Sequence, residues 1–128
     1  MAIKEAIQFL LEHGVSINQS AQDGSTALHY AAIASDEKLI EYLVSNGADV
    51  NIRDNNGETA LHCAILTNTI HRIHQAKIID CLAKNGADLN ATSNDGKTPW
   101  SCARQYFATD YLDVLKKYGS ENELSKPI

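Results

Sequence analysis

Gly24-Ser25-Thr26-Ala27-Leu28-His29 returns as Gly57-Glu58-Thr59-Ala60-Leu61-His62, and again as Gly96-Lys97-Thr98-Pro99-Trp100-Ser101. The intervals between copies are 33 and 39 residues. A second motif runs in phase with the first: Asn46-Gly47-Ala48-Asp49-Val50-Asn51 recurs as Asn85-Gly86-Ala87-Asp88-Leu89-Asn90, and more loosely as His13-Gly14-Val15-Ser16-Ile17-Asn18. Its spacing is again 33 and 39 residues. Periods in this range mark a solenoid, in which each unit leaves an apolar face that only a neighbouring unit can bury.

The opening Gly-x-Thr-(Pro/Ala)-Leu-His and the closing Gly-Ala-Asp-Val-Asn together resemble the ankyrin repeat, from about Lys4 to Gly119. The resemblance implies an all-α solenoid of helix-turn-helix units joined by finger-like β-turn loops, serving as a protein-binding platform. About three and a half repeats are expected. Residues 1–20 form a partial first repeat holding only a second helix, and 21–53 a full repeat. Residues 54–92 form a repeat with an insertion near 68–77, 93–120 a C-terminal capping repeat, and 121–128 a flexible tail.

Within one unit the sequence accounts for its own geometry. Thr26 and Thr59 are suited to cap helices beginning at Ala27 and Ala60, and Thr98 caps one that Pro99 pre-organises at its first position. These first helices are expected over about 26–34, 59–66 and 98–106. Ala31, Ala64 and Ala103 recur at one register, where close approach of neighbouring units excludes anything larger. A second helix starts near Asp36-Glu37, which suit the positive end of its dipole, and carries Leu39, Ile40 and Leu43 inward. Gly47 ends it, with Gly14, Gly86 and Gly119 as counterparts. Asp23-Gly24, Asn56-Gly57 and Asp95-Gly96 mark the fingertip turns.

Composition narrows the function. The 128 residues are 44% apolar and 21% charged, the balance of a soluble globular domain. The net charge of −5, with no Lys/Arg cluster, argues against nucleic acid as a partner. No apolar run reaches the roughly 18 residues of a membrane span, and the N-terminus lacks a signal-peptide layout. Three cysteines suit a reducing compartment better than a disulfide framework. The expected location is cytoplasmic, with the nucleus or delivery into a host cell as alternatives. Asn18 and Asn90 match a glycosylation pattern, but both stand at the closing position that Asn51 also fills.

Several motifs that suggest chemistry have plainer explanations. His29 and His62 stand three residues after a capping threonine, and the family resemblance implies a structural hydrogen-bonding role for them; Ser101 replaces this histidine in the last repeat, implying a weaker network there. His62, Cys63, His71, His74, Cys81 and Cys102 are ligand types, yet their spacing matches no zinc module, so no metal and no cofactor is assigned. Ala91 to Thr98 spells a relaxed phosphate-loop pattern without the preceding buried strand that such a loop requires. No catalytic constellation is present, and the chain is read as a non-enzyme.

Function is therefore sought where the array is free to vary. The resemblance places partner binding on the concave face. By register those positions are Gln22, Asp23, Ser25, Ile33, Ala34 and Arg53, then Asn55, Asn56, Glu58, Leu66, Thr67 and Thr92, then Asn94, Asp95, Lys97, Gln105 and Tyr106. Ile33, Leu66 and Tyr106 are read as one apolar row with a charged rim, the make-up of an interface. The six added residues between Thr67 and Ile78 are read as lengthening the second helix by about 9 Å. Ile70, Ile73, Ile78 and Leu82 would share one face, and Asn68, His71, Arg72, His74 and Lys77 would form a locally basic tip. His71 and His74 join the candidate partner-binding residues. The apolar edge around Ile3, Ile7 and Leu10 is read first as the cut face of a longer protein, and second as a surface meeting another chain, self-association included. The expected function is an adaptor or scaffold for a partner protein. The alternatives are a recruitment segment of a larger enzyme or bacterial effector and, behind it, a small-ligand or metal binder.

Overall fold

The computed structural model describes residues 3–67, 72–106 and 108–119. Among them are seven helices and no strand: α1 (Ile3–Glu12), α2 (Ala27–Ile33), α3 (Glu37–Ser45), α4 (Ala60–Leu66), α5 (Arg72–Lys84), α6 (Pro99–Gln105) and α7 (Thr109–Lys117). They stack in two layers. The short helices α2, α4 and α6 lie side by side, α3, α5 and α7 form the second layer, and each short helix packs on the longer helix that follows it. The resulting array of helix pairs is the solenoid that the two periodic motifs predict.

Each boundary has a local cause. Thr59 Oγ1 accepts from the His62 amide (3.4 Å) and Thr98 Oγ1 from the Ser101 amide (3.1 Å), satisfying N–H groups that the first helical turn leaves unpaired. Asp36 caps α3 through the Leu39 amide at 3.0 Å. Gly47 and Gly86, just past α3 and α5, adopt φ of +93° and +97°, the left-handed geometry that reverses the chain.

The core lies between the layers. Ala31, Ala64 and Ala103 are at most 1% exposed, and Ile40, Leu43, Ile79, Leu82 and Leu115 are fully buried. Methyl-sized side chains at the first register let α2, α4 and α6 approach closely, while the second helices supply the larger apolar volume. Trp100 replaces the leucine of Leu28 and Leu61 in the last pair, and its indole N–H is buried without an acceptor. Burying an unpaired donor costs free energy, which fits a less well satisfied terminal unit.

The 39-residue unit departs from expectation in one respect. Residues 68–71 lie outside the described residues, so Asn68, Ile70 and His71 are not placed. Within the described part, α5 has 13 residues against nine in α3, so about 6 Å of the expected lengthening lies in described residues and the rest falls on residues outside them. Ile73 does not share the inward face: it is 78% exposed, whereas Ile78, Ile79, Leu82 and Gln75 are fully buried. The spacing 75, 78, 79, 82 is the helical stripe, and position 73 falls off it.

Gln75 is the residue that ties the extension down. Its amide donates to the Ala64 carbonyl (2.7 Å) and more weakly to the Ala32 carbonyl (3.4 Å), and its oxygen accepts from the Ser35 hydroxyl. Beside it the ring of His74 donates through Nε2 to the Ser35 carbonyl at 2.8 Å. Ser35 itself has φ of +58°. The first turn of α5 thus closes the C-terminal ends of both α2 and α4.

Candidate protein-binding surface

The fingers are built by backbone hydrogen bonds. In each, the amide at the base donates to the carbonyl just before the capping threonine: Ala21 to Ser25 (2.8 Å), Asp54 to Glu58 (2.9 Å) and Ser93 to Lys97 (2.9 Å). Glycine at the tip is required where fingers touch. A Cβ on Gly57 would stand 2.7 Å from the Asn94 amide nitrogen, and one on Gly24 would stand 2.7 Å from that of Asn55.

Neighbouring fingers are joined by asparagines. Asn55 donates its amide to the Asp23 carbonyl (3.0 Å) and its side chain to the Gln22 carbonyl (3.0 Å). Asn94 repeats this against Asn56 and Asn55, both at 2.9 Å. Arg53 donates to the Gly57 carbonyl (3.1 Å) and the Thr92 carbonyl (2.6 Å).

The histidines complete the links. His29 Nδ1 faces the Thr26 amide (3.1 Å) and hydroxyl (3.0 Å), and Nε2 faces the Glu58 carbonyl at 2.9 Å. An amide can only donate and a carbonyl can only accept, so Nδ1 is the acceptor and Nε2 carries the proton. His62 repeats the arrangement, with Thr59 at 3.2 Å and the Lys97 carbonyl at 2.9 Å. Ser101 keeps only the local half: its hydroxyl accepts from the Thr98 amide and donates to the Thr98 carbonyl. On the opposite rim Asn18 and Asn51 bridge closing turns, donating to the Gly47 and Gly86 carbonyls and accepting from the Asp49 and Asp88 amides.

A family model described as ankyrin repeats (3 copies) matches residues 2–93. The chain belongs to the ankyrin-repeat family. Comparison with curated proteins returns no match. The match ends at the base of the last ankyrin finger, and the helix pair α6–α7 continues the same stack beyond it.

Against the ankyrin framework the sequence-predicted site residues fall into two groups. Arg53, Asn55 and Asn94 hold fingers together; Ser25 is buried at 8% exposure, and Thr67 donates its hydroxyl to the Cys63 carbonyl at 2.6 Å. Leu66 is half-buried and packs against the core. Gln22, Asp23, Asn56, Asp95, Lys97 and Gln105 are exposed, with the Lys97 ammonium 3.2 Å from the Gln105 carbonyl oxygen. Ile33 and Tyr106 are exposed at 47% and 50%. His74 is exposed but tied to Ser35, and His71 lies outside the described residues.

The apolar row needs correction. Counted from the capping threonines, Ile33 and Leu66 are seven residues on, and their mate in the last repeat is Gln105. Tyr106 is eight residues on and shares its register with Ala34 and Thr67. Ile33 and Tyr106 thus lie on adjacent rows, at the C-terminal ends of α2 and α6. Tyr30 is 52% exposed although its register mates Cys63 and Cys102 are packed inside.

Charge on the finger side is predominantly negative. Burial raises the Glu58 pKa first, and Asp54 and Asp95 add to the effect. The Ser25 amide, donating to the Asp23 carboxylate, lowers the pKa of Asp23. Cys63 is pushed up to about 12 by burial and by Glu58, Asp54 and Asp23. That thiol is protonated at neutral pH and unreactive.

Two groups among the described residues bring potential ligand atoms within 4.8 Å of one another: His29, Asp54 and Cys63, and Glu37, Glu41 and Cys81. In the first, both His29 nitrogens already serve the stack and the thiol keeps its proton. In the second, burial and the same two carboxylates raise the Cys81 pKa. Neither group contains His74, and His71 lies outside the described residues. The three cysteines are buried free thiols, and no described helix is long and apolar enough to cross a membrane.

Proposed function

We propose that this chain is an adaptor or scaffold that holds a partner protein in its concave groove, between the fingertips and the outward side of α2, α4 and α6. Ankyrin repeats are generally protein-protein interaction modules, and a fold alone does not select the partner. The observation that carries the reading is Ile33, a large apolar side chain nearly half exposed on the first-helix layer. Exposed Asp23, Asn56, Asp95 and Lys97 supply a polar rim along the fingertips. The groove side chains Arg53, Asn55 and Asn94 act as a frame that holds this surface rigid. Three buried free thiols support a reducing, intracellular setting.

The test is quantitative affinity capture with the wild-type chain and with Ile33→Asp, followed by mass spectrometry. Ile33 is exposed, so the variant keeps its helix content and melting temperature, and it is expected to lose the captured partner. Equal capture by both would move the interface off this face.

A further inference from the structure

The three fingers carry four carboxylates, Asp23, Asp54, Glu58 and Asp95, against two cations, Arg53 and Lys97. Both cations are engaged within the chain. Arg53 donates to the Gly57 and Thr92 carbonyls, and the Lys97 ammonium, at the register of Glu58 on the next finger, donates to the Gln105 side chain at 3.2 Å. Among the described residues no lysine or arginine forms an ion pair with any of the four carboxylates.

The carboxylates act on one region. Asp54 accepts from the Asn56 and Glu58 amides, both at 2.9 Å, and its carboxylate lies within 4.8 Å of the Cys63 sulfur and a His29 ring nitrogen. Glu58 is half-buried, and after burial itself the groups that raise its pKa are Asp54 and then Asp95. Glu58, Asp54 and Asp23 all act on the Cys63 thiol. Like charges from three successive fingers therefore meet without a compensating cation.

Cys63 also marks which side of the first helices faces these carboxylates. Its register mate on the neighbouring α2 is Tyr30, 52% exposed, and Ile33, 47% exposed, stands three residues further along the same helical side. The groove thus joins an apolar strip on α2 to a negative finger side.

We propose, building on the reading of the groove as the binding surface, that its occupant is a basic segment of the partner protein, with arginine or lysine heads against the finger carboxylates and their stems along Tyr30 and Ile33. Both residue types combine a long apolar stem with a cationic head. A guanidinium can in addition lie on a tyrosine ring and meet a carboxylate through two parallel N–H groups. A cation beside Glu58 offsets the repulsion from Asp54 and Asp95 that the chain leaves uncompensated. An acidic segment meets like charge there and is rejected. The net charge of −5 acts in the same sense over longer range, speeding encounter with a cationic partner.

The test is selection from a phage-displayed library of random short peptides on the immobilised full chain. Selected peptides should be rich in arginine and lysine. Their binding, followed by fluorescence anisotropy, should weaken about threefold to tenfold when Glu58→Gln is combined with Asp95→Asn, the effect of losing two partly exposed charge pairs. Both substitutions keep the side-chain volume, so melting should not fall. Glu37→Gln with Glu41→Gln removes an equal charge from α3, in the other layer, and should leave binding unchanged. Selection of acidic or uncharged peptides overturns the proposal, as does failure to select any peptide or binding indifferent to the Glu58 and Asp95 changes. If acidic or uncharged peptides lose binding to Ile33→Asp, the groove stands and only its charge preference fails; if they bind Ile33→Asp as they bind wild type, the groove reading fails as well.

Discussion

Replacing Gln75 by leucine tests the most specific feature of the 39-residue unit. Leucine is close in volume and strongly helical, so the fully buried site stays filled and α5 keeps its propensity. What it removes is the 2.7 Å bond to the Ala64 carbonyl, the weaker bond to Ala32 and the acceptor for the Ser35 hydroxyl. The Ala32 carbonyl still receives the Ser35 amide at 3.2 Å, and the Ser35 hydroxyl is partly exposed. The loss therefore concentrates on the Ala64 carbonyl. A buried acceptor left without its donor costs about 1–3 kcal/mol, partly offset by burying an apolar residue in place of an amide. The expected net destabilisation is about 1–2 kcal/mol, or about 4–8 °C in melting temperature for a domain of this size. Gln75→Ala adds a cavity and should cost about 2–4 kcal/mol. Urea denaturation followed by far-UV circular dichroism measures both. If Gln75→Leu were as stable as wild type or more so, the amide would not be satisfying the helix ends and the reasoning would fail.

Other consequences can be checked with the same material. His62→Ala removes a buried side chain that joins Thr59 to the Lys97 carbonyl, and should cost about 2–4 kcal/mol by urea denaturation. Gly57→Ala should destabilise the chain clearly more than Gly96→Ala: both have left-handed φ, but only the Gly57 Cβ would strike a neighbouring finger. Glu58, whose pKa is raised in the folded state by burial, favours folding while protonated. Its contribution is lost as pH rises above 4.5 through the raised value. Glu58→Gln should accordingly raise neutral-pH stability and flatten the pH profile in that window. The Cys63 thiol, held at about 12, should react with a thiol reagent at pH 7 only at the rate of unfolding, measurable by mass spectrometry.

The elements that repeat were legible in the sequence because a repeat is its own control. Threonine before Ala-Leu-His announced a cap, and glycine after each second helix announced a left-handed turn. Alanine at a fixed register announced a close approach, and all three readings match the structure. The residues that misled belong to one copy only. Gln75 looks like a surface residue beside Ile73, and nothing in a single sequence shows that the extension swings the amide inward and the isoleucine outward. At the fingertips, Arg53 stands where the other copies have Ser20 and Thr92, and Asn55 and Asn94 stand where the first finger has Gln22, so all three read as variable contact positions. They hold the carbonyls of neighbouring loops, a role visible only once two fingers lie side by side. The apolar row suffered from a shift of one position. One residue on a helix is a rotation of about 100°, enough to move Tyr106 off the line of Ile33 and Leu66. Tyr30 was hidden for the opposite reason: its register predicts burial, as Cys63 and Cys102 show, yet it is 52% exposed.

Hydrogen–deuterium exchange of the full chain, alone and with its captured partner bound, tests the central claim that the groove is the binding surface. Slowed exchange should concentrate in the fingertip amides around Gln22–Gly24, Asn55–Gly57 and Asn94–Lys97 and along α2, α4 and α6. Protection confined to α3, α5 and α7, with the fingertips unchanged, would place the partner on the other side of the molecule and contradict the account.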